Sequence, residues 1–241
     1  MKKIFHNYLL LCTVCLSSVS CTTTAILSSN FEGAGYTAET LPAHDIPGNP
    51  AGDEIAYSTE LQPRIRIANS VNAGQKALRF SQTSASGLTA HNQWIGFKGI
   101  STNLTQPLWF YFTATHSGSG GRLTIDISDG MASLFARVLI NSNGDVIIVR
   151  SFPSNEEMVG NIQPDIMHTV VFTLNLNNGK YNLSIFKPGG NILVNDIPVM
   201  VENVLSYANP ARPTISFRFE DGSSDTRKYV LEEVNINKKQ P

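Results

Sequence analysis

Residues 107–141 carry side chains whose types and spacing suit a sugar. In 107–115, Leu108, Phe110 and Phe112 point one way and Trp109, Tyr111 and Thr113 the other, if the segment is a strand. In 122–128, Leu123, Ile125 and Ile127 oppose Arg122, Thr124 and Asp126. In 133–141, Leu134, Ala136 and Val138 oppose Phe135 and Arg137. If these strands are neighbours, one face is core and the other presents Trp109, Tyr111, Arg122, Asp126 and Arg137. Aromatic faces stack on sugar C–H surfaces, and flanking charged groups bond hydroxyls, so such a face suits a glycan groove. A second arrangement satisfies the same pattern: Trp109 and Tyr111 packed under a long loop at 40–63. Trp94, in Gln93-Trp94-Ile95-Gly96-Phe97, is expected in the core.

Other reactive side chains are sparser. Glu220-Asp221-Gly222-Ser223-Ser224-Asp225 is an oxygen-rich turn of the kind that calcium, with its six to eight oxygen ligands, can use. It lacks the later bidentate Glu of an EF-hand loop, and the commoner use of this composition is a solvated hairpin turn. The five histidines, His6, His44, His91, His116 and His168, show no metal-ligand spacing. Gly118-Ser119-Gly120-Gly121 holds only fragments of a Gly-x-Ser-x-Gly nucleophile elbow and precedes no helix.

The elements that must position these groups are strands. The chain has 241 residues, 41% hydrophobic and 15% charged, enough apolar content for a core. Its formal charge of −1 lacks the basic excess of a nucleic-acid or anionic-membrane binder. Alternating segments occupy 76–81, 107–115, 122–128, 133–141, 145–151, 168–176, 180–186, 192–200, 214–220 and 228–236. Asn143-Gly144-Asp145 and Asn177-Asn178-Gly179 supply residues that accept the positive φ of hairpin turns. No window shows helical periodicity, so the expected fold class is all-β, an antiparallel two-sheet sandwich. Residues 40–63 contain Pro42, Pro47, Pro50 and Pro63 and lack a strand pattern, which predicts a long loop.

The first residues read as a leader. Lys2 and Lys3 precede an apolar stretch, Tyr8 to Leu16, of signal-peptide length and too short to span a bilayer. Ser17-Ser18-Val19-Ser20-Cys21 resembles a bacterial lipoprotein signal, with Ser18 where that signal prefers an aliphatic residue. All three cysteines, Cys12, Cys15 and Cys21, lie in or at the end of the leader. Cleavage before Cys21 leaves one thiol and no internal disulfide, and lipidation gives that thiol a use. Cleavage also removes two lysines and no acid, leaving 16 basic against 19 acidic side chains. The expected organisation is a signal peptide at 1–20, a lipidated Cys21 with a short tether at 21–29, and one domain at 30–241.

Four segments together carry a family resemblance. They are Asn30-Phe31-Glu32-Gly33, Gln75-Lys76-Ala77-Leu78-Arg79-Phe80, the run from His168 to Tyr181, and Tyr229-Val230-Leu231-Glu232-Glu233-Val234-Asn235-Ile236. Their order resembles the concanavalin A-like or laminin-G-like jelly rolls of bacterial surface proteins. The resemblance implies that an early Phe-Glu strand pairs with a late strand carrying an acidic doublet. Glu32 and Glu233 would then join Asp221 and Asp225 as candidate calcium ligands. Such folds host lectins, lyases, hydrolases and spacer modules.

The catalytic patterns of that resemblance fail here. Laminarinase-like hydrolases use Glu-x-Asp-x-x-Glu, which is absent. The acid pairs Glu156-Glu157 and Glu232-Glu233 are adjacent, so on regular strands each pair would split between faces. Ser58-Thr59-Glu60-Leu61-Gln62 keeps only the middle of the Arg-Thr-Glu-Leu-Arg segment of alginate-lyase-like sandwiches. The expected protein is therefore a non-catalytic, lipid-anchored module of the bacterial cell envelope, carbohydrate-binding or adhesive. Its expected partners are a polysaccharide or glycan, and the membrane through the lipid anchor only. The rival readings are a polysaccharide lyase or glycoside hydrolase with other motifs, and a purely structural surface module.

Overall fold

The computed structural model describes residues 25–32, 36–40, 65–70, 74–81, 92–118, 121–131, 133–151, 155–200, 209–220 and 228–240, with backbone alone at 54–57 and 92–93. These residues form fifteen strands and no helix. In chain order the strands are β1 (Ala25–Ser29), β2 (Glu54–Tyr57), β3 (Ile65–Asn69), β4 (Lys76–Ser81), β5 (Asn92–Lys98), β6 (Leu108–Ser117), β7 (Arg122–Ser128) and β8 (Leu134–Ile140). They continue with β9 (Asp145–Val149), β10 (Glu156–Asn161), β11 (His168–Asn175), β12 (Lys180–Phe186), β13 (Ile192–Pro198), β14 (Thr214–Glu220) and β15 (Lys228–Asn237). No helix among the described residues is long and apolar enough to cross a membrane.

Every pairing is antiparallel. One sheet runs β13-β12-β11-β6-β15-β4-β3, with β1 added to β15, and the other runs β10-β9-β8-β7-β14-β5-β2. The two stack face to face, and strict alternation feeds the space between them. Along β11 the burial pattern switches at every residue, with Val170, Phe172 and Leu174 inside. The core is aromatic at its centre. Phe112 meets Phe217 edge to face at 5.0 Å and 90°, and Phe217 meets Phe97 at 6.1 Å and 79°.

The hairpins close where Asn and Gly predicted them. Gly144 sits at φ 87° between β8 and β9, and Gly179 at φ 66° between β11 and β12. A methyl group on Gly144 would also lie 2.1 Å from the Ile162 carbonyl oxygen, so only glycine fits. All ten expected strands are present. Five elements lie outside those ten segments, β5 around Trp94 among them. β2 lies inside the segment read as a loop, and β3 and β10 carry too little alternation to be seen. β1 lies inside the segment expected as tether: it pairs with β15 from Ala25↔Asn237 to Ser29↔Val234.

Tyr181 is the least satisfied large side chain of the core. It is 1% exposed, and its hydroxyl meets no hydrogen-bond partner among the described residues. Burial raises its pKa far above the ordinary tyrosine value, against a smaller lowering by the charge of Arg150. A raised folded pKa means that the neutral ring contributes stability below pH ~10 that is lost as pH climbs above the unfolded value. Tyr181→Phe should stabilise the protein by about 1–2 kcal/mol at pH 7, because it removes a buried hydroxyl with no acceptor. It should also flatten the loss of stability between pH ~9 and ~11. Denaturant melts of both proteins across that range check both effects, and an unchanged alkaline limb would mean that other groups set it.

Candidate functional site

The outer face of the seven-stranded sheet is built by parity. Ile215, Phe217 and Phe219 of β14 are fully buried, so Ser216, Arg218 and Glu220 face outward. Ile95 and Phe97 of β5 are buried in the same way, which turns Trp94 and Gly96 out. Trp94 is therefore not a core residue, contrary to expectation. It is half-buried on the outer face, and its indole lies over Gly96, where an added Cβ would stand 3.1 Å from Cζ2.

Register then assembles rows across the strands. Trp94 opposes Arg218, Arg218 opposes Thr124, Thr124 opposes Leu139, and Leu139 opposes Ile147. A second row joins Gly96, Ser216, Asp126 and Arg137. Beside them Glu220 opposes Arg122. The result is a depression of about 150 Å³ lined by Arg122, Thr124, Arg137, Leu139, Val149, Glu156, Arg218 and Glu220. Leu139 and Val149, only 5% and 4% exposed, form its apolar floor outside the main core.

Two of its three guanidiniums are already engaged. Arg137 donates from Nε and Nη2 to the two oxygens of Asp126, both at 2.7 Å, a fork-to-fork pair. The Asp126 hydrogen bond raises the pKa of Arg137 further, against an opposing effect of burial. Arg122 donates from Nε to Glu220 Oε2 at 3.0 Å, and its Nη2 reaches the same oxygen. Arg218 is half-buried and makes no hydrogen bond or ion pair with the described residues.

The five expected sugar contacts therefore do not share a face. Arg122, Asp126 and Arg137 lie together on the seven-stranded sheet. Trp109 and Tyr111 are on β6, in the other sheet, and face outward on the opposite side of the sandwich. Consecutive strands commonly pair, but here the chain crosses between sheets after β6, so β7 joins β2 and β5 in the other layer. Both rings are half-buried. Burial and the neighbouring charge of Glu233 raise the Tyr111 pKa, opposed by a hydrogen bond with Asn237. Sequence reasoning missed Trp94 and Arg218. The readable signal was the clean polar parity of Ser216, Arg218 and Glu220, and the glycine two residues after Trp94 on the same face.

The acidic candidates divide too. Asp221 and Asp225 lie outside the described residues. Glu32 and Glu233 do come together, with Asn30, Gln75, Lys76, Thr113 and Glu232, around a depression of about 220 Å³. A register shift between Leu231 and Glu233 breaks the alternation of β15, so both members of the doublet line one depression instead of opposite faces. Glu32 Oε1 accepts from the Lys76 N–H at 2.6 Å, and Glu233 accepts from Thr113 Oγ1 and Asn235 Nδ2, both at 3.1 Å. Among the described residues no group of three or more His, Cys, Asp or Glu side chains is arranged to hold a metal ion. His116 and His168 meet at 6.2 Å between ring centroids, each with a ring nitrogen at a backbone carbonyl, of Ile162 and Ile166.

No family model and no curated protein matches the chain. Solved structures do. A lectin from Ulex europaeus, UEA-II complexed with galactose, superposes with a TM-score of 0.51 at 9% identity, over 88% of this chain and 98% of that one. The GH131 β-glucanase catalytic domain from Podospora anserina gives 0.51 at 12% identity, over 82% and 90%. A sialidase matches at a TM-score of 0.48 and 14% identity over 73% of this chain, which spans 17% of that protein. Strand order, sheet pairing and the lectin and β-glucanase superpositions agree that the chain has the concanavalin A-like jelly-roll fold.

Proposed function

We propose that this protein is a non-catalytic carbohydrate-binding module, held at the bacterial cell envelope by a lipid on Cys21, and that the outer face of the seven-stranded sheet takes the glycan. The observation that carries the reading is the juxtaposition of Trp94 and Arg218 across β5 and β14, beside the Arg122 and Arg137 pairs. A half-buried indole on the outer face supplies stacking area for a pyranose, and guanidiniums supply donors for ring substituents. The fold adds support, since a lectin complexed with galactose is among the structures that share it.

A hydrolase reading draws on the β-glucanase domain of the same fold. Hydrolysis by a carboxyl pair needs two acids flanking the scissile bond. Of the acids around this depression, Asp126 and Glu220 are committed to guanidiniums. Glu156 has no such partner among the described residues. The lipid-anchored placement rests on the leader and on Cys21 alone.

Detergent-solubilised protein should bind at least one polysaccharide on a glycan array and release no reducing ends from it over a long incubation. Reducing-end release would favour the hydrolase. Silence on neutral and acidic arrays would favour the structural-module reading. Trp94→Ala should weaken that binding at least tenfold, a loss of about 1.4 kcal/mol. It should lower stability by less than about 1.5 kcal/mol. Phe217→Ala, which empties the centre of the core, should cost roughly 3–5 kcal/mol. A calorimetric titration beside a denaturant melt separates the two residues, and equal destabilisation would make Trp94 a packing residue only.

The anchor has its own test. Cys21→Ser should abolish incorporation of labelled palmitate and move the protein from the membrane fraction to the soluble one, since a diacylated cysteine supplies the two chains that stable attachment needs. Wild-type protein that takes up no label would overturn it.

A further inference from the structure

We propose that Arg218 is a carboxylate-recognising residue and that the glycan bound on this face is acidic, a polymer containing hexuronate. The inference rests on the sugar-binding reading of the same face and names the class of sugar.

The argument starts from what each guanidinium already holds. Three of them surround one depression. Arg137 is matched by Asp126 and Arg122 by Glu220, so those pairs carry little net charge to offer a ligand. Arg218 is different. Its cross-strand neighbours are Trp94 on one side and Thr124 on the other, and neither is an acid. Along its own strand the outward residues are Ser216 and Glu220, and Glu220 is turned to Arg122. The remaining acid of the depression, Glu156, stands on β10 opposite Val149 of β9, four strands away from β14.

Half-buried, the Arg218 guanidinium has lost part of its water and gained no acceptor among the described residues in return. Its donors form a rigid planar fork that matches a planar carboxylate at two points. Trp94 then fixes what carries the carboxylate. Directly opposed side chains on neighbouring strands start about 5 Å apart at Cβ, roughly the width of one pyranose ring. A ring stacked on the indole projects its edge substituent toward Arg218. In a hexuronate that substituent is a carboxylate at C6, and in a neutral hexose it is a hydroxymethyl group with one oxygen. The one guanidinium of the depression that has no acid partner among the described residues thus faces a single negative charge per sugar.

The test uses detergent-solubilised full-length protein and three uronate polymers, polygalacturonate, alginate and hyaluronate. Each is paired with its carboxyl-reduced neutral form, and dextran and dextran sulfate are added. Wild type should bind at least one uronate polymer, lose at least tenfold affinity when its carboxyls are reduced, and bind more weakly as salt rises. Arg218→Gln should remove that preference, bringing the acidic polymer to the affinity of its reduced form. Arg218→Lys, which keeps the charge and loses the fork, should fall between. Ser216→Glu supplies Arg218 with a carboxylate from its own strand face, and should lose the preference while every arginine remains, so a folding defect in one variant does not decide the result. Equal binding of acidic and reduced polymers, unaffected by Arg218→Gln, would overturn this inference and leave the sugar-binding reading standing. Binding of dextran sulfate with no uronate bound would overturn the carboxylate. Failure to bind any of the eight polymers would overturn both.

Discussion

The contact between Phe217 and Phe112 is the one on which the site depends. Phe217 lies on β14, inside the seven-stranded sheet, and Phe112 on β6, inside the other, so their edge-to-face meeting at 5.0 Å joins the two layers. Side chains on a strand alternate without exception unless a bulge intervenes. Fixing Phe217 inward therefore fixes Ser216 and Arg218 outward. A slip of one residue would bury a guanidinium and expose two phenyl rings. The partner ring Phe97, 6.1 Å from Phe217, does the same for β5 and turns Trp94 and Gly96 out. The candidate face is thus the complement of the aromatic core. No loop among the described residues is needed to build it.

This dependence explains what could be read in the sequence. The ten alternating segments became strands because alternation is the direct imprint of a one-sided core, and the Asn-Gly turns are local chemistry. Which strands share a sheet is not local. The pairing of β7 with β14 joins residues some ninety positions apart, as in Ile127↔Ile215, and nothing in either segment announces it. The sugar face drawn from Trp109, Tyr111, Arg122, Asp126 and Arg137 failed at that step alone. Each residue does point outward, but from two different sheets. Trp94 was misplaced for another reason. A tryptophan beside Ile95 and Phe97 reads as part of one apolar run, and only the parity shared by Ile95 and Phe97 turns it to the surface.

The terminal strands show the converse, a long-range pairing that the family resemblance did imply. β15 is paired with β6 along one edge, and with β4 and then β1 along the other. Phe31 leaves β1 at a left-handed φ of 62° and drops its ring into the core, 5.4 Å from Tyr36. That reversal brings the next residue, Glu32, to the backbone N–H of Lys76. The bulge at Glu232 then brings the acidic doublet to the same depression. Register shifts of this kind leave no trace in residue alternation, which is why the adjacent acids read as split between faces.

The ion pairs on the seven-stranded face are better understood as covering than as stabilising. Arg137 and Asp126 remain 21% and 14% exposed, a partly buried pair whose Coulombic gain is offset by lost hydration. What the arginines do achieve is shielding. Leu139 and Val149 face outward, yet they are almost wholly buried, and they line one depression with Arg122 and Arg137, whose long apolar stems can cover such ground while the charged ends stay in water. An exposed apolar strip across a sheet would invite association with other chains. The paired guanidiniums share that depression with Arg218, which stands beside Trp94 across β14 and β5. On the proposed reading a ligand arriving there meets an indole and a guanidinium that strand parity turns to one face, and ordering the unpaired Arg218 side chain takes back part of the binding energy.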